Sequence, residues 1–167
     1  FSNKPVNGYA DYYEQITTYI NIILSPAQSI DPSVSAKTFK VVKSDDPDSS
    51  FQYLDSNSSR AGISAITSRL SGLKIAIVGL GGTGSYILDF VAKTPVKEIH
   101  IFDDDKFLSH NAFRSPGAAS LEELEKELKK VTYLHKKYSK MHKAVIPHEF
   151  RLTDSTLDCL LGLNFVF

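Results

Sequence analysis

Tryptophan is absent, and there is one cysteine and one methionine among 167 residues. The single cysteine, Cys159, excludes an intramolecular disulfide and any zinc site built on paired cysteines. A reducing, cytoplasmic setting is the easier reading. No apolar run approaches the ~18 residues of a bilayer span. No basic, then apolar, then small-residue start marks a signal peptide. Excess charge is missing as well: 19 Lys and Arg balance 19 Asp and Glu. That balance argues against a general nucleic-acid binder or a polybasic membrane module, so neither DNA nor membrane is an expected partner. His100 and His110 stand ten apart without carboxylates at ligand spacing, a poor metal site. No Ser/His/Asp or Cys/His constellation is evident.

What is present fits a folded protein. Apolar residues make up 42% and charged residues 23%, and the length suits one domain, or one domain with an ordered arm. Residues 1–57 are irregular in pattern and mildly acidic. Within them, residues 9–24 place Tyr12, Ile16, Tyr19, Ile20 and Ile23 on one helical face, and Ser25-Pro26 is expected to stop that helix. Such an aromatic face reads as core or as a docking surface. Residues 38–43 read as a short strand and 44–50 as a polar loop.

Residues 58–167 alternate strand and helix signals. A helix is expected over 58–70, ended near Gly72, and a buried strand over 73–78. A glycine-rich turn and a helix to Thr94 follow. The next strand covers 98–102. Ser120 and Glu123 form a capping box that opens a helix running through Met141. A strand at 144–150 carries Pro147 and so belongs at an edge. A short helix reaches Leu161, and a fourth strand starts at 164. This order predicts an α/β fold: a Rossmann-like parallel sheet with helices on both faces, preceded by a mostly helical N-terminal arm.

The turn reads Ile77-Val-Gly-Leu-Gly-Gly-Thr-Gly-Ser85. Gly79 permits a tight turn. Gly81 and Gly82 let backbone amides approach a phosphate, and Gly84 lets the helix pack close to the sheet. The helix N-terminus adds free N–H groups and partial positive charge. A ligand-free glycine turn is the plainer alternative. Asp103 ends the second strand, where an acidic residue meets ribose hydroxyls, and Asp104 and Asp105 are weaker cases. Asn111 and Arg114 follow on a loop. A fixed cation there suits a triphosphate better than a dinucleotide, although a surface arginine fits the spacing equally well. The lysines between 126 and 143, with His135 and His142, read mainly as a solvated helix face. Cys159, among Leu157, Leu160 and Leu161, reads as a core thiol.

Taken together, residues 75–114 resemble the adenylation domain of the ThiF/MoeB/HesA family, the ubiquitin-activating-enzyme-like proteins. The glycines 79–84, the acidic strand end Asp103 and Asp105, and Asn111-x-x-Arg114 carry the likeness, which continues through Lys130-Val131 and extends over about residues 60–167. Residues 1–57 resemble the extension of a bacterial subgroup. The resemblance implies activation of a carboxylate by Mg-ATP, usually the C-terminus of a ubiquitin-like or sulfur-carrier protein, as an acyl adenylate. It implies that Gly79, Gly81, Gly82 and Gly84 line the nucleotide and Asp103 binds ribose, with Asp105 beside it. Asn111 and Arg114 would face the triphosphate. Lys130 would be the phosphate lysine, with Lys129 the near miss. Arg60, with Arg69 second, matches an arginine that often serves a partner subunit. The family usually dimerises. Its magnesium-binding Asp is expected beyond Phe167, so no metal ligand is assigned here, and residues 1–167 alone are expected to bind ATP weakly and turn over little. An NAD-dependent oxidoreductase and a non-catalytic nucleotide-binding module are the alternatives.

Overall fold

The computed structural model describes residues 4–37 and 41–167. Residues 1–40 and 41–167 form two separate compact units. In the first, helix α1 spans Tyr12–Ile30. Asp11 caps it, its side chain accepting from the Glu14 N–H at 2.8 Å. The helix runs through Pro26 instead of stopping there. Proline removes one intrahelical bond, but α1 buries no residue, so the freed carbonyl is not stranded in a core. The expected apolar face is correspondingly open: Tyr12, Ile16 and Ile23 are each more than half exposed.

In the second unit, the strand expected at 38–43 falls partly outside the described residues. Its described end contributes an isolated antiparallel bridge, Lys43 to Tyr53. The helix expected over 58–70 is broken into α2 (Asn57–Arg60), α3 (Ser64–Thr67) and a 3-10 turn at Ser68–Leu70. Gly62, at φ 68°, turns the chain between the first two.

Four strands then build one parallel sheet: β1 (Lys74–Val78), β2 (Glu98–Phe102), β3 (Val145–His148) and β4 (Phe165–Val166), in the order β3-β2-β1-β4. Ile75 lies opposite Ile99, and Ile99 opposite Val145. Pro147 is on an edge strand, as expected. Helix α4 (Gly82–Val91) links β1 to β2, and α7 (Lys130–Tyr138) precedes β3. Right-handed crossovers put both helices on one face. There the Tyr138 hydroxyl donates to Asp89 Oδ1 at 3.0 Å. Burial, with Asp89 beside it, pushes the Tyr138 hydroxyl well above the ordinary phenol range. The 3-10 segment Asp154–Leu160 returns the chain toward β4, which the same rule places on the other face.

The core lies between the sheet and these two helices. Ile77, Leu88, Ile99, Ile101, Val131 and Leu134 are essentially inaccessible. Removing a fully buried Leu88 side chain would cost about 2–5 kcal/mol. The helix expected from Ser120 to Met141 is two: α6 (Leu121–Glu125) and α7. Glu127 takes φ 43° between them, the Phe107 N–H donates to Leu128 O at 2.8 Å, and Lys106 bridges Lys129. This break places Lys130 on the first turn of α7, at the carboxyl ends of the strands. His142 is fully buried, not part of a solvated face. Its Nε2 donates to Val96 O at 2.9 Å, and its Nδ1 accepts from the Ala144 N–H at 3.2 Å. Burial therefore holds this imidazole neutral, below its usual range.

Candidate functional site

At its carboxyl edge β1 runs into the glycine turn. Gly79 has φ 86°, and its N–H donates to Phe102 O at 2.8 Å, fixing the turn to β2. A Cβ on Gly84 would sit 1.9 Å from Gly79 O, so only glycine lets α4 come this close. The first-turn amides of α4, at Gly82, Thr83 and Gly84, have no intrahelical acceptor. Two hollows flank Gly79. One, of about 310 Å3, is lined by Val78, Gly79, Phe102, Asp103–Asp105 and Phe150–Leu152. The other, of about 330 Å3, is lined by the glycines, Thr83, Ile87 and Phe167.

Asp103 is 9% exposed and ties the parts together. Its Oδ2 accepts from the Leu80 N–H of the turn at 2.7 Å, and its Oδ1 accepts from the Asp105 N–H at 2.9 Å. Lys130 Nζ lies 3.2 and 3.3 Å from the two oxygens and 2.6 Å from Asp105 Oδ2. Lys130 holds the Asp105 carboxyl below its usual range, with Arg151 and Lys129 adding to the effect. Lys129 instead donates to the Asp104 carbonyl. Of the two lysines, Lys130 is the one joined to the glycine turn through Asp103.

Arg114 packs against α4: its Cδ lies 3.7 Å from where a Cβ on Gly82 would be. Its guanidinium is exposed and makes no hydrogen bond or ion pair among the described residues. Asn111, on the short helix α5 (Ser109–Ala112), is buried, and its Oδ1 accepts from the Leu108 N–H at 2.9 Å. The Arg114 N–H bonds to Asn111 O at 3.1 Å. Asn111 thus shapes the loop that presents Arg114. Arg60 ends α2 with an exposed side chain. Its neighbours Asp55–Ser58 line a hollow with Phe90, Lys93 and Thr94, near the end of α4 remote from Gly82. Arg69 is exposed on the 3-10 turn. Within one chain, neither arginine joins the cluster of Gly79–Gly84, Asp103, Asp105, Lys130 and Arg114.

The residues present fit a nucleotide polyphosphate: a glycine turn whose close packing a Cβ at Gly84 would break, first-turn amides without an intrahelical acceptor, and a guanidinium with no partner among the described residues. They do not fit magnesium at the three adjacent aspartates. Asp103, Asp104 and Asp105 offer oxygens within 4.8 Å of one another, but the Lys130 ammonium already sits between Asp103 and Asp105.

Sequence reasoning missed Arg151. The strand expected to 150 ends at His148, and Phe150, Arg151 and Leu152 line the hollow instead. A polar residue just past a strand's carboxyl end was the available signal. It also missed the stacking of His148 on Phe102, centroids 4.2 Å apart, which braces this wall.

The family model described as the ThiF family matches residues 56–161. The chain belongs to the ThiF family. A second model, a domain of unknown function (DUF6791), matches residues 1–56. No curated protein matches the chain. Among solved structures, E. coli tRNA N6-threonylcarbamoyladenosine dehydratase, TcdA, in complex with AMP is similar: TM-score 0.57, 20% identity, 65% of this chain and 45% of that one. The same protein in complex with ATP gives TM-score 0.54 at 19% identity, with the same coverage. E. coli MccB with MccA-N7isoASN gives TM-score 0.53 at 19% identity, over 60% of this chain and 29% of that one. This ThiF-family chain thus spans less than half the length of these structures, and the likeness is one of fold.

Proposed function

We propose that this ThiF-family chain takes part in ATP-dependent adenylation of a carboxylate, with the glycine turn, Asp103, Lys130 and Arg114 as the nucleotide site. The observation that carries the reading is the Asp103 carboxylate, which links the Leu80 N–H of the turn to Lys130. Asp103 is where a ribose diol would be held, and the α4 amides and Arg114 flank where phosphates would lie. Support for ATP also comes from the TcdA structures that hold AMP and ATP.

The chemistry asks little beyond placement and charge. A carboxylate is already ionised at neutral pH, so no general base is needed. One carboxylate oxygen attacks the α-phosphorus, forming a new P–O bond as the bond to pyrophosphate breaks. The products are an acyl adenylate and pyrophosphate. Arg114 and Lys130 would offset the charge that builds on the phosphates. Arg60, exposed and away from its own chain's cluster, would serve the site of a partner subunit in a homodimer. The acceptor we favour is the C-terminus of a ubiquitin-like or sulfur-carrier protein.

The test is ATP–pyrophosphate exchange by the full-length protein. Exchange should appear with a carrier protein bearing a free C-terminus and vanish when that terminus is amidated. Exchange indifferent to amidation would remove the carboxylate from the reading.

A further inference from the structure

In the structure Asp103 has no acceptor capacity left for a ligand. A carboxylate offers about four lone-pair sites. Backbone N–H groups of Leu80 and Asp105 take one on each oxygen, at 2.7 and 2.9 Å. Lys130 Nζ takes the other two, at 3.2 and 3.3 Å. A ribose diol therefore finds both remaining positions occupied. The two backbone donors are fixed by the turn. Lys130 is the partner that can leave, because its ammonium sits on a flexible four-carbon stem.

We propose that Lys130 is an exchangeable plug on Asp103: a polyphosphate in the glycine turn draws it off, and only then can the carboxylate accept the ribose hydroxyls. This rests on the ATP reading above. The exchange leaves no group stranded. Lys130 trades two carboxylates for a phosphate group of higher charge. Asp103 keeps its two backbone donors and gains two hydroxyl donors, so its buried charge stays compensated. Asp105, whose carboxyl is exposed, stays close to Arg151, which lines the same hollow, and to Lys129. Phosphate and ribose recognition are thereby coupled through one side chain, and by linkage the coupling runs both ways.

The coupling is measured on the unaltered full-length protein. Adenosine and 2′,3′-dideoxyadenosine are titrated with and without saturating inorganic tripolyphosphate, and ATP is titrated alone. Tripolyphosphate should tighten adenosine about tenfold or more and leave 2′,3′-dideoxyadenosine nearly unmoved, the scale of a hydrogen bond to a charged acceptor. ATP that binds while adenosine gains nothing from tripolyphosphate, or shows no binding in either condition, overturns the exchange and leaves the ATP reading standing. ATP that does not bind overturns both. In Lys130→Met, adenosine should bind more tightly than 2′,3′-dideoxyadenosine even without tripolyphosphate. A gain from tripolyphosphate that persists in this variant contradicts the plug.

Discussion

The two ends of the sheet bury polar groups in opposite ways. At the amino end, His142 is fully enclosed, neutral, and satisfied by Val96 O and the Ala144 N–H. Phe51 meets its ring edge-on at 6.0 Å, and the Gln52 N–H bonds to Met141 O at 2.8 Å. Every bond there is internal and has one arrangement. At the carboxyl end, Asp103 and Lys130 are buried to a similar degree but charged, and Lys130 divides itself among three oxygens on two residues. The glycine turn meets that pair through the Leu80 N–H, and Arg114, against Gly82, has no hydrogen-bond or ion-pair partner among the described residues. A closed neutral network holds a fold together. A charged pair with interchangeable partners beside a hollow is suited to exchanging one partner for a ligand.

Breaking the charged end should cost most. Asp103→Ala removes the buried carboxylate beside Lys130, leaving it only the exposed Asp105 carboxylate, and should lower stability by about 3–5 kcal/mol in urea unfolding. A loss under 1 kcal/mol would mean that Lys130 simply swings to solvent. Gly84→Ala comes next. The new Cβ would overlap Gly79 O, so the turn must shift, at about 1–3 kcal/mol of stability and at least tenfold in ATP affinity. Unchanged affinity would show that the turn is not the cradle.

The neutral end is sharpened by pH. The folded pKa of His142 is depressed, so below about 6.5 the unfolded chain binds a proton that the folded chain refuses. Stability should therefore fall as pH drops from 6.5 toward the folded value. His148 shifts the same way, from burial and from His100 at 3.0 Å. His142→Gln should flatten much of this slope, as followed by thermal unfolding between pH 5 and 7. An unaltered slope would assign it to His148. The smallest effect should come from Lys93→Ala, which breaks only the exposed pair with Asp89, within about 0.5 kcal/mol.

Much of the sheet could be read from residues alone, because buried parallel strands leave continuous apolar runs. Residues 98–102 are a strand at the expected positions, and Pro147 is at an edge. The glycine turn was equally legible, since each glycine answers a local backbone demand. Where tertiary contacts override local pattern, the reading failed. Leu121 to Met141 keeps helical spacing throughout, yet the bonds from Phe107 and Lys106 split it at 126–129. Gly62 sat inside a helical pattern and turned out to break it. Pro26 predicts a stop, and an exposed helix passes through it. Within the site, the residue types were legible but their partners were not. That Asp103 accepts from the Leu80 N–H, and that Lys130 covers both of its oxygens, depends on backbone positions that no spacing encodes.

Calorimetric titration of the full-length protein with ATP and with NAD, each repeated on Arg114→Ala, tests the nucleotide site most directly. ATP should bind, NAD should not, and the substitution should weaken ATP about tenfold, the loss of one charge-assisted contact. NAD binding as tight as ATP, or ATP binding indifferent to Arg114, would contradict a triphosphate cradle at this turn.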